Sequence, residues 1–197
     1  MYNIEPEVLN QVQTGNQEAF THLVEAYQRP VYNLCYRMLG NAEEAEDASQ
    51  ETFLRVYKNI KHYDYQRPFS TWLLSIAAHH CIDQLRKRRM VVISMDGHPY
   101  LDLPDGSPGP EASFYMKDNQ TRVQGLLKSL NPHDRAAVVM YYWYDFSYEE
   151  IANSLSLTVS AVKSRLHRAR ITLAQTWQDQ GVNKLTAERK THESPAF

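Results

Sequence analysis

Cysteine is nearly absent from the 197-residue chain: there are only Cys35 and Cys81, and their spacing is not that of a CxxC pair. Two isolated thiols read as reduced and buried, which excludes a disulfide framework and argues against zinc or redox chemistry. Long apolar runs are missing too. Nothing approaches the roughly 18 residues of a membrane span. The opening Met1-Tyr2-Asn3-Ile4-Glu5 lacks the basic-then-apolar order of a signal peptide, so a cytoplasmic protein is expected. No activated nucleophile or metal constellation stands behind an enzyme reading such as a hydrolase built on His79 and Asp83, so neither catalysis nor a cofactor is expected. His79-His80-Cys81 resembles a ligand cluster. Adjacent helical residues point about 100° apart, however, and only Asp83 follows at i+4, so no metal is expected there.

Glycine and proline are sparse outside one stretch. Met90 to Glu111 holds four of the nine prolines and three of the seven glycines, with Asp96, Asp102, Asp105 and Glu111 and no Lys or Arg. Such a composition predicts a linker between two small domains. Its 22 residues span at most roughly 70 Å at about 3.3 Å per extended residue, or about two turns of DNA at roughly 35 Å per turn.

Almost every other stretch carries helical periodicity, which predicts an all-α protein of two small helical domains joined by a flexible linker. A short helix from Glu7 to Thr14 stops at Gly15. Asn16 caps the next, which Pro30 divides before Gly40 closes it, and Asn41 with Glu44 opens a third. After a loop from Lys61 to Pro68, a helix from Ser70 to Arg89 has the core stripe Leu74, Ala77, Ala78, Cys81 and Leu85. Helices resume from Ala112 to Ser129, and Asn131-Pro132 starts one through Tyr144 whose Tyr141-Tyr142-Trp143-Tyr144 rings are expected in the second core. Ser147-Tyr148-Glu149-Glu150 is a capping box, followed by a short helix to Ser154, a turn at Leu155-Ser156-Leu157 and a capped start at Thr158. Short helix, tight turn and longer helix make a helix-turn-helix, although Ser156 stands where glycine would be easiest. The last helix is expected to reach Gln178, with a disordered polar tail from Asn183.

The net charge of −2 conceals segregation. Glu43, Glu44, Glu46, Asp47 and Glu51 share one helix; Arg86-Lys87-Arg88-Arg89 is an unbroken basic run; Ile151 to Gln178 has Lys163, Arg165, Arg168 and Arg170 but no acid. This pattern suggests nucleic-acid contact at two basic surfaces and a protein partner at the acidic one. On the acidic helix, Ala42, Ala45, Ser49, Phe53, Val56 and Ile60 form a core side. Opposite them lie Asp47, Gln50, Glu51 and Leu54, a leucine set in an acid and amide stripe that suits a docked protein better than water. On the last helix, Val162, Leu166, Ala169 and Leu173 face inward, while Ser160, Ser164, His167 and Ile171, flanked by Lys163 and Arg168, have the layout of a recognition helix.

Trp72, Ile76, His79, Asp83 and Arg86 form a third mixed face. With Tyr63, Tyr65, Arg67 and Phe69 of the preceding loop they offer stacking rings beside cations, suited to unpaired bases. Trp72 and Ile76 could equally lie beneath a neighbouring helix, and the basic run could complement the helix dipole.

The order A-E-D-A-S-Q-E-T-F-L-R-V at 45–56, F-S-T-W-L at 69–73, C-I-D-Q-L-R-K-R-R at 81–89, S-Y-E-E-I-A at 147–152 and V-K-S-R-L-H-R-A-R at 162–170 resembles the sigma-70 family of bacterial RNA polymerase initiation factors, in its small extracytoplasmic-function group. The resemblance implies sigma region 2 over 15–90, a linker over 91–115, sigma region 4 over 116–175 and a tail over 176–197. It further implies core polymerase as partner, through its beta-prime clamp and beta subunits, with Asp47, Gln50, Glu51 and Leu54 docking on the beta-prime clamp, and that the segment from Tyr63 through the helix to Arg89 opens and reads the minus-10 element as single strand. Ser160, Lys163, Ser164, His167 and Arg168 would read the minus-35 duplex, and an anti-sigma factor is an implied partner. One departure is Ala78-His79, where the family often has Arg-Asn. The rival reading, a two-domain regulator with a C-terminal helix-turn-helix, leaves the Asp47 stripe and the Trp72 face unexplained.

Overall fold

The computed structural model describes residues 4–94 and 112–192, with side chains described over 4–90 and 120–180. Regular structure among the described residues is entirely helical, eight α-helices and one 3₁₀ turn. Helix α1 (Pro6–Gln13) ends before Gly15, whose φ of 92° favours glycine. Helix α2 (Gln17–Leu39) starts where the Ala19 N–H donates to the Asn16 side chain at 3.1 Å, and stops at Gly40 in the left-handed region, φ 75°.

Pro30 does not divide α2, contrary to the sequence reading; the helix runs through it. A proline inside a helix costs about 3 kcal/mol. Leu23, Tyr27, Val31, Leu34, Cys35 and Met38 are buried on both sides of it, and each large side chain returns about 1.5–3 kcal/mol on burial. Breaking the helix would forfeit more than it relieved.

Helix α3 (Ala42–Asn59) is capped by Asn41, whose side chain accepts from the Glu44 N–H at 3.0 Å. It buries Ala45, Ala48, Ser49, Thr52, Phe53 and Val56, and the 3₁₀ turn Ile60–His62 buries Ile60. Ala42, expected in the same stripe, is exposed in the first turn. Helix α4 (Phe69–Ser94) continues past the expected end at Arg89, since Met90 to Ile93 contain no Gly or Pro. Leu74, Ala77, Ala78 and Cys81 are buried as expected and Leu85 is half-buried. Leu73 and Ile82 are buried as well, because α4 packs on α2 and α3 and also on two helices of the second half. Cys35 and Cys81 are free and buried; a hydrogen bond to Cys35, reinforced by burial, pushes the Cys81 thiol pKa up.

The second half comprises α5 (Ala112–Lys128), α6 (Pro132–Tyr144), α7 (Tyr148–Leu155) and α8 (Val159–His192). Asn131 caps α6 by accepting from the Asp134 N–H at 3.0 Å, and every residue from Asp134 to Met140 is buried. A helix enclosed all round belongs at the centre of a domain, and here its two charged residues, Asp134 and Arg135, are hydrogen-bonded. Beyond Met140 that enclosure ends. Tyr141 and Tyr144 are half-buried, but Tyr142 and Trp143 are 51% and 39% exposed, so the expected four-ring core is only partly realised. The capping box forms in full, Glu150 N–H to Ser147 Oγ at 3.1 Å and Ser147 N–H to Glu150 Oε2 at 2.8 Å. Ser156 takes the left-handed conformation, φ 54°, that turns α7 into α8, and Thr158 Oγ1 caps α8 by accepting from Ala161 N–H at 3.1 Å.

Helix α8 does not stop near Gln178 but continues to His192, so the tail expected to be disordered is helical over 183–192. The sequence has no proline between Pro132 and Pro195 to end it. Of the expected linker, α4 takes the part up to Ser94; 95–111, like 193–197, lies outside the described residues.

The two halves share one contiguous core. Within the second half, Arg165 Nη1 of α8 donates to Asp134 Oδ1 of α6 at 2.7 Å, and Asn131 Nδ2 donates to Asp134 Oδ2 at 2.7 Å. Replacing the buried Asp134 with Ala strands Arg165 and should lower the unfolding free energy by about 3 kcal/mol, as for other broken buried pairs. Urea denaturation checks this, and a loss below about 0.5 kcal/mol would place the pair among surface contacts.

A pH dependence follows from two histidines. Burial, with Arg55 beside His80 and Arg165 beside His133, lowers both pKa values below the ordinary 6.5. The unfolded chain therefore binds these protons first, and stability present above about pH 6.5 is lost as pH falls through the folded-state values. Glu51, whose pKa is lowered mainly by its hydrogen bond from Arg55, loses its contribution only below the carboxylate value of 4.5. The urea midpoint should thus drop between pH 7 and 5 in the native chain and drop less in His80→Gln/His133→Gln.

Candidate nucleic-acid and polymerase interfaces

Helix α3 turns its core side to α2 and α4 and leaves the other outward. Asp47 and Gln50 are exposed, Glu51 is half-buried, and Leu54, set among them, is 55% exposed. A leucine isolated on an acidic face exposes apolar surface to water at a cost that contact with a partner would relieve. Arg55 Nε donates to Glu51 Oε1 at 2.7 Å, which fixes that carboxylate along the helix. One turn beyond Leu54, the exposed Tyr57 packs edge-on against Phe20, ring centroids 5.0 Å apart. Its position at i+3 from Leu54 is the signal that could have placed it in the stripe. Beside Asp47, a cleft of about 250 Å³ is lined by Glu44, Gln84, Lys87 and Arg88, and Arg88 pairs with Glu44 across it.

The loop and α4 sort differently from the sequence expectation. Tyr63 and Phe69 are buried, so they do not present their rings to a base. They instead build an aromatic cluster: Tyr27–Phe69 and Tyr63–Phe69 centroids are 5.4 Å apart, Tyr63–Trp72 5.1 Å and Phe69–Trp72 5.7 Å. The Tyr63 hydroxyl donates to the Arg67 carbonyl, Gln13 Nε2 donates to Ile60 O at 2.9 Å, and Tyr65 OH donates to Gln13 Oε1 at 2.8 Å. The loop is thereby tied to α1. The two Gln13 contacts join residues 47 and 52 positions apart, which no local pattern announces.

What remains outward is Tyr65, Arg67, His79, Asp83 and Arg86, with Trp72 and Ile76 half-buried. Trp72 takes both places the sequence left open, one edge in the aromatic cluster and the other lining a cleft of about 410 Å³ with Ile76, Ser75, His79, Arg55, Asn59 and His62. Arg55 and Asn59 come from the end of α3 and His62 from the 3₁₀ turn that follows it; they were missed, because only the packing of α3 on α4 brings them to Trp72. The basic run is partly engaged. Arg86 pairs with Asp83 at 3.7 Å and Arg88 with Glu44, so its charge is already drawn on within the chain.

On α8, Val162, Leu166 and Ala169 are buried and Leu173 half-buried, while Ser160, Lys163, Ser164, His167 and Arg168 are all exposed along one side. The short helix α7 with its Ser156 turn sets this side outward at the start of α8, as a recognition helix requires. Arg165 leaves the set of available cations, since it serves Asp134. Lys163 lies 5.5 Å from the Tyr148 ring, a weak tether for a long side chain. No group of His, Cys, Asp or Glu fit to hold a metal occurs among the described residues, the His79-His80-Cys81 segment included.

Residues 23–90 match the family model Sigma-70 region 2, and residues 120–173 match Sigma-70, region 4. The chain is 37% identical over 179 residues to the ECF RNA polymerase sigma factor SigW of Bacillus subtilis, covering 87% of this chain and 95% of that protein. It is 36% identical over 160 residues to the ECF RNA polymerase sigma factor SigE of Mycolicibacterium smegmatis, covering 80% of this chain and 62% of that one. In fold it is similar to CnrH solved in complex with the cytosolic domain of CnrY, at TM-score 0.65 and 24% identity over 88% of this chain and 96% of that chain. The sigma factor RpoE of Bartonella quintana, solved with the anti-sigma factor NepR, gives TM-score 0.65 and 22% identity over 81% and 96%. With both regions matched in order and a 37% identical relative spanning nearly all of both chains, this chain belongs to the sigma-70 family of RNA polymerase sigma factors, in its extracytoplasmic-function group.

Proposed function

We propose that the chain recruits core RNA polymerase through α3 and reads a bipartite promoter through α4 and α8, making and breaking no bond itself. The observation that carries this reading is the pair of outward faces on one fold: the Asp47, Gln50, Glu51 and Leu54 stripe on α3, and the acid-free Ser160, Lys163, Ser164, His167 and Arg168 side of α8. Leucine ringed by acids and amides suits a basic, partly apolar partner helix such as the beta-prime clamp. Small polar residues backed by Lys and Arg suit base edges and phosphates in a major groove.

The minus-10 role falls to Tyr65, Arg67, Trp72, Ile76, His79, Asp83 and Arg86, around the cleft that Trp72 lines; Tyr63 and Phe69 position the loop from beneath. A cleft open on one side beside a half-buried tryptophan accommodates an unstacked base. The working units are residues 15–90 and 116–175, with 91–115 as linker and 176–197 as tail. An anti-sigma protein is the fitting regulator, since the RpoE chain of similar fold was solved with one. The cytoplasm is where polymerase and promoter are met, and no described helix is long and apolar enough to cross a membrane.

Leu54→Ala should weaken core polymerase binding by about 1–3 kcal/mol, as a central interface residue does, and leave the melting temperature nearly unchanged because Leu54 packs against little. A titration of labelled core that gives wild-type affinity would remove α3 as the docking surface. On α8, Lys163→Ala and Arg168→Ala separate two roles. A base contact should relax preference at one minus-35 position and a phosphate contact should weaken all sequences alike. Binding-site selection in which both variants keep native preference and affinity would reject this face.

A further inference from the structure

Helix α1 lies upstream of the residues that carry the family match, yet its last side chain reaches the loop assigned to the minus-10 element. Leu9 and Val12 anchor the helix in the core. Gln13, half-buried at its end, directs both ends of its amide at one distant segment. Nε2 donates to Ile60 O at 2.9 Å and to Tyr63 O at 3.4 Å, and Oε1 accepts from the Tyr65 hydroxyl at 2.8 Å. This orientation is dictated by the partners. Two carbonyls can only accept, so the amide nitrogen must face them, and the tyrosine hydroxyl is left to donate to the oxygen.

The bonds meet the chain on both sides of His62. Ile60 O, which also accepts from the Tyr63 N–H at 3.1 Å, begins the 3₁₀ turn, and Tyr63 O opens the loop that runs to Pro68. Between these two carbonyls His62, with Asn59 just before it, lines the cleft of about 410 Å³ beside Trp72. Tyr65 has its ring 5.3 Å from Tyr63 and its hydroxyl on Gln13, and the exposed Arg67 follows it in a turn whose N–H returns to Asp64 O at 3.1 Å. The buried rings of Tyr63 and Phe69 set the depth of the loop. Hydrogen bonds, which are directional, set how its backbone and Tyr65 are turned. Without the Gln13 amide, the carbonyls that bracket His62 would turn to water and Tyr65 would lose the contact that fixes its hydroxyl.

We propose that Gln13 is a positioning residue for minus-10 capture: its amide holds His62 and Tyr65 in place before a base leaves the duplex, so that the loop need not be ordered during strand opening. The consequence for opening rests on the sigma reading; the tie between α1 and the loop does not. Gln13 contacts neither the Asp47, Gln50, Glu51 and Leu54 stripe nor the exposed side of α8, so core docking and minus-35 contacts should be untouched.

The test compares the native chain with Gln13→Met, which keeps the length of the side chain and removes all three hydrogen bonds, and with Tyr65→Phe, which removes one. In the free chain, amide exchange at Tyr63 and Arg67 should quicken about tenfold in Gln13→Met, as the loss of one or two net hydrogen bonds implies, with circular dichroism and melting temperature nearly unchanged. In holoenzyme, the probe is a promoter duplex selected from a random library by the native form and carrying 2-aminopurine across the minus-10 element. Gln13→Met should open it roughly tenfold more slowly at native core affinity. It should also flatten the preference among bases at the captured position, which a residue that merely stabilised the fold would leave intact. Tyr65→Phe should be slowed less, and adding it to Gln13→Met should slow opening no further, because their shared bond is already gone. Native exchange at Tyr63 and Arg67 in Gln13→Met, or native opening and base preference from a loosened loop, overturns the proposal. A native chain that never engages core or opens a duplex removes the sigma reading instead, and loosened exchange in Gln13→Met then still establishes Gln13 as the tie of the loop.

Discussion

Helix α4 lies against α2 and α3 on one flank and α6 and α7 on the other, and that crowding decides which of its residues remain for anything else. Leu73, Leu74, Ala77, Ala78, Cys81 and Ile82 are consumed by packing, leaving one narrow stripe from Trp72 to Arg86. Small residues make this feasible: Ala77, Ala78 and Cys81 let neighbouring helices come close without a bulky side chain between them. The proposed minus-10 face is therefore a remainder set by the core. A larger residue at Ala77 or Ala78 would displace α2 or α3 and, with them, Arg55, Asn59 and His62 at the cleft.

Local chemistry made much of the fold legible. Asn16, Asn41, Asn131, Ser147 and Thr158 all cap helices as their sequence context implied, because a cap needs only one side-chain oxygen and an N–H two or three residues on. Failures lie where long-range packing overrides a local rule. Pro30 is carried inside α2 by buried neighbours on both sides, and Tyr142 and Trp143 stay outside because α6 outruns the core that encloses Asp134 to Met140. Helix ends at Arg89 and Gln178 were set too early for a plainer reason. Declining amphipathicity signals the end of burial, which is not the end of a helix: α8 runs on through Gly181 to His192.

The candidate interfaces divide along the same line. Outward faces on α3 and α8 follow from periodicity alone, since a residue opposite a core stripe has nowhere to go but the surface. Tyr63 and Phe69 could not be sorted this way: in a loop no period applies, and their burial depends on Tyr27 of α2 and Trp72 of α4. Their aromatic cluster still bears on function, because it decides where Tyr65 and Arg67 stand. Rigid rings beneath a loop hold exposed side chains in place at small entropic cost.

Cations show how composition alone misassigns roles. The acid-free stretch of α8 offers four, but Arg165 is spent on the buried Asp134 and Arg170 Nε donates to Leu166 O at 3.2 Å, leaving Lys163 and Arg168 flanking the exposed serines and His167. Within α4's basic run, Arg86 and Arg88 already face Asp83 and Glu44. Arg135, in a segment with no sequence mark of function, has the least water of any of them and touches both halves. Surface ion pairs of the Arg86 kind are worth little and yield to phosphate when DNA arrives. Buried ones do not yield without opening the structure around them. The cations best placed to answer DNA are thus the exposed, weakly held ones, while Arg135 and Arg165 are taken up in holding helices together, a division that burial reveals and charge counting does not.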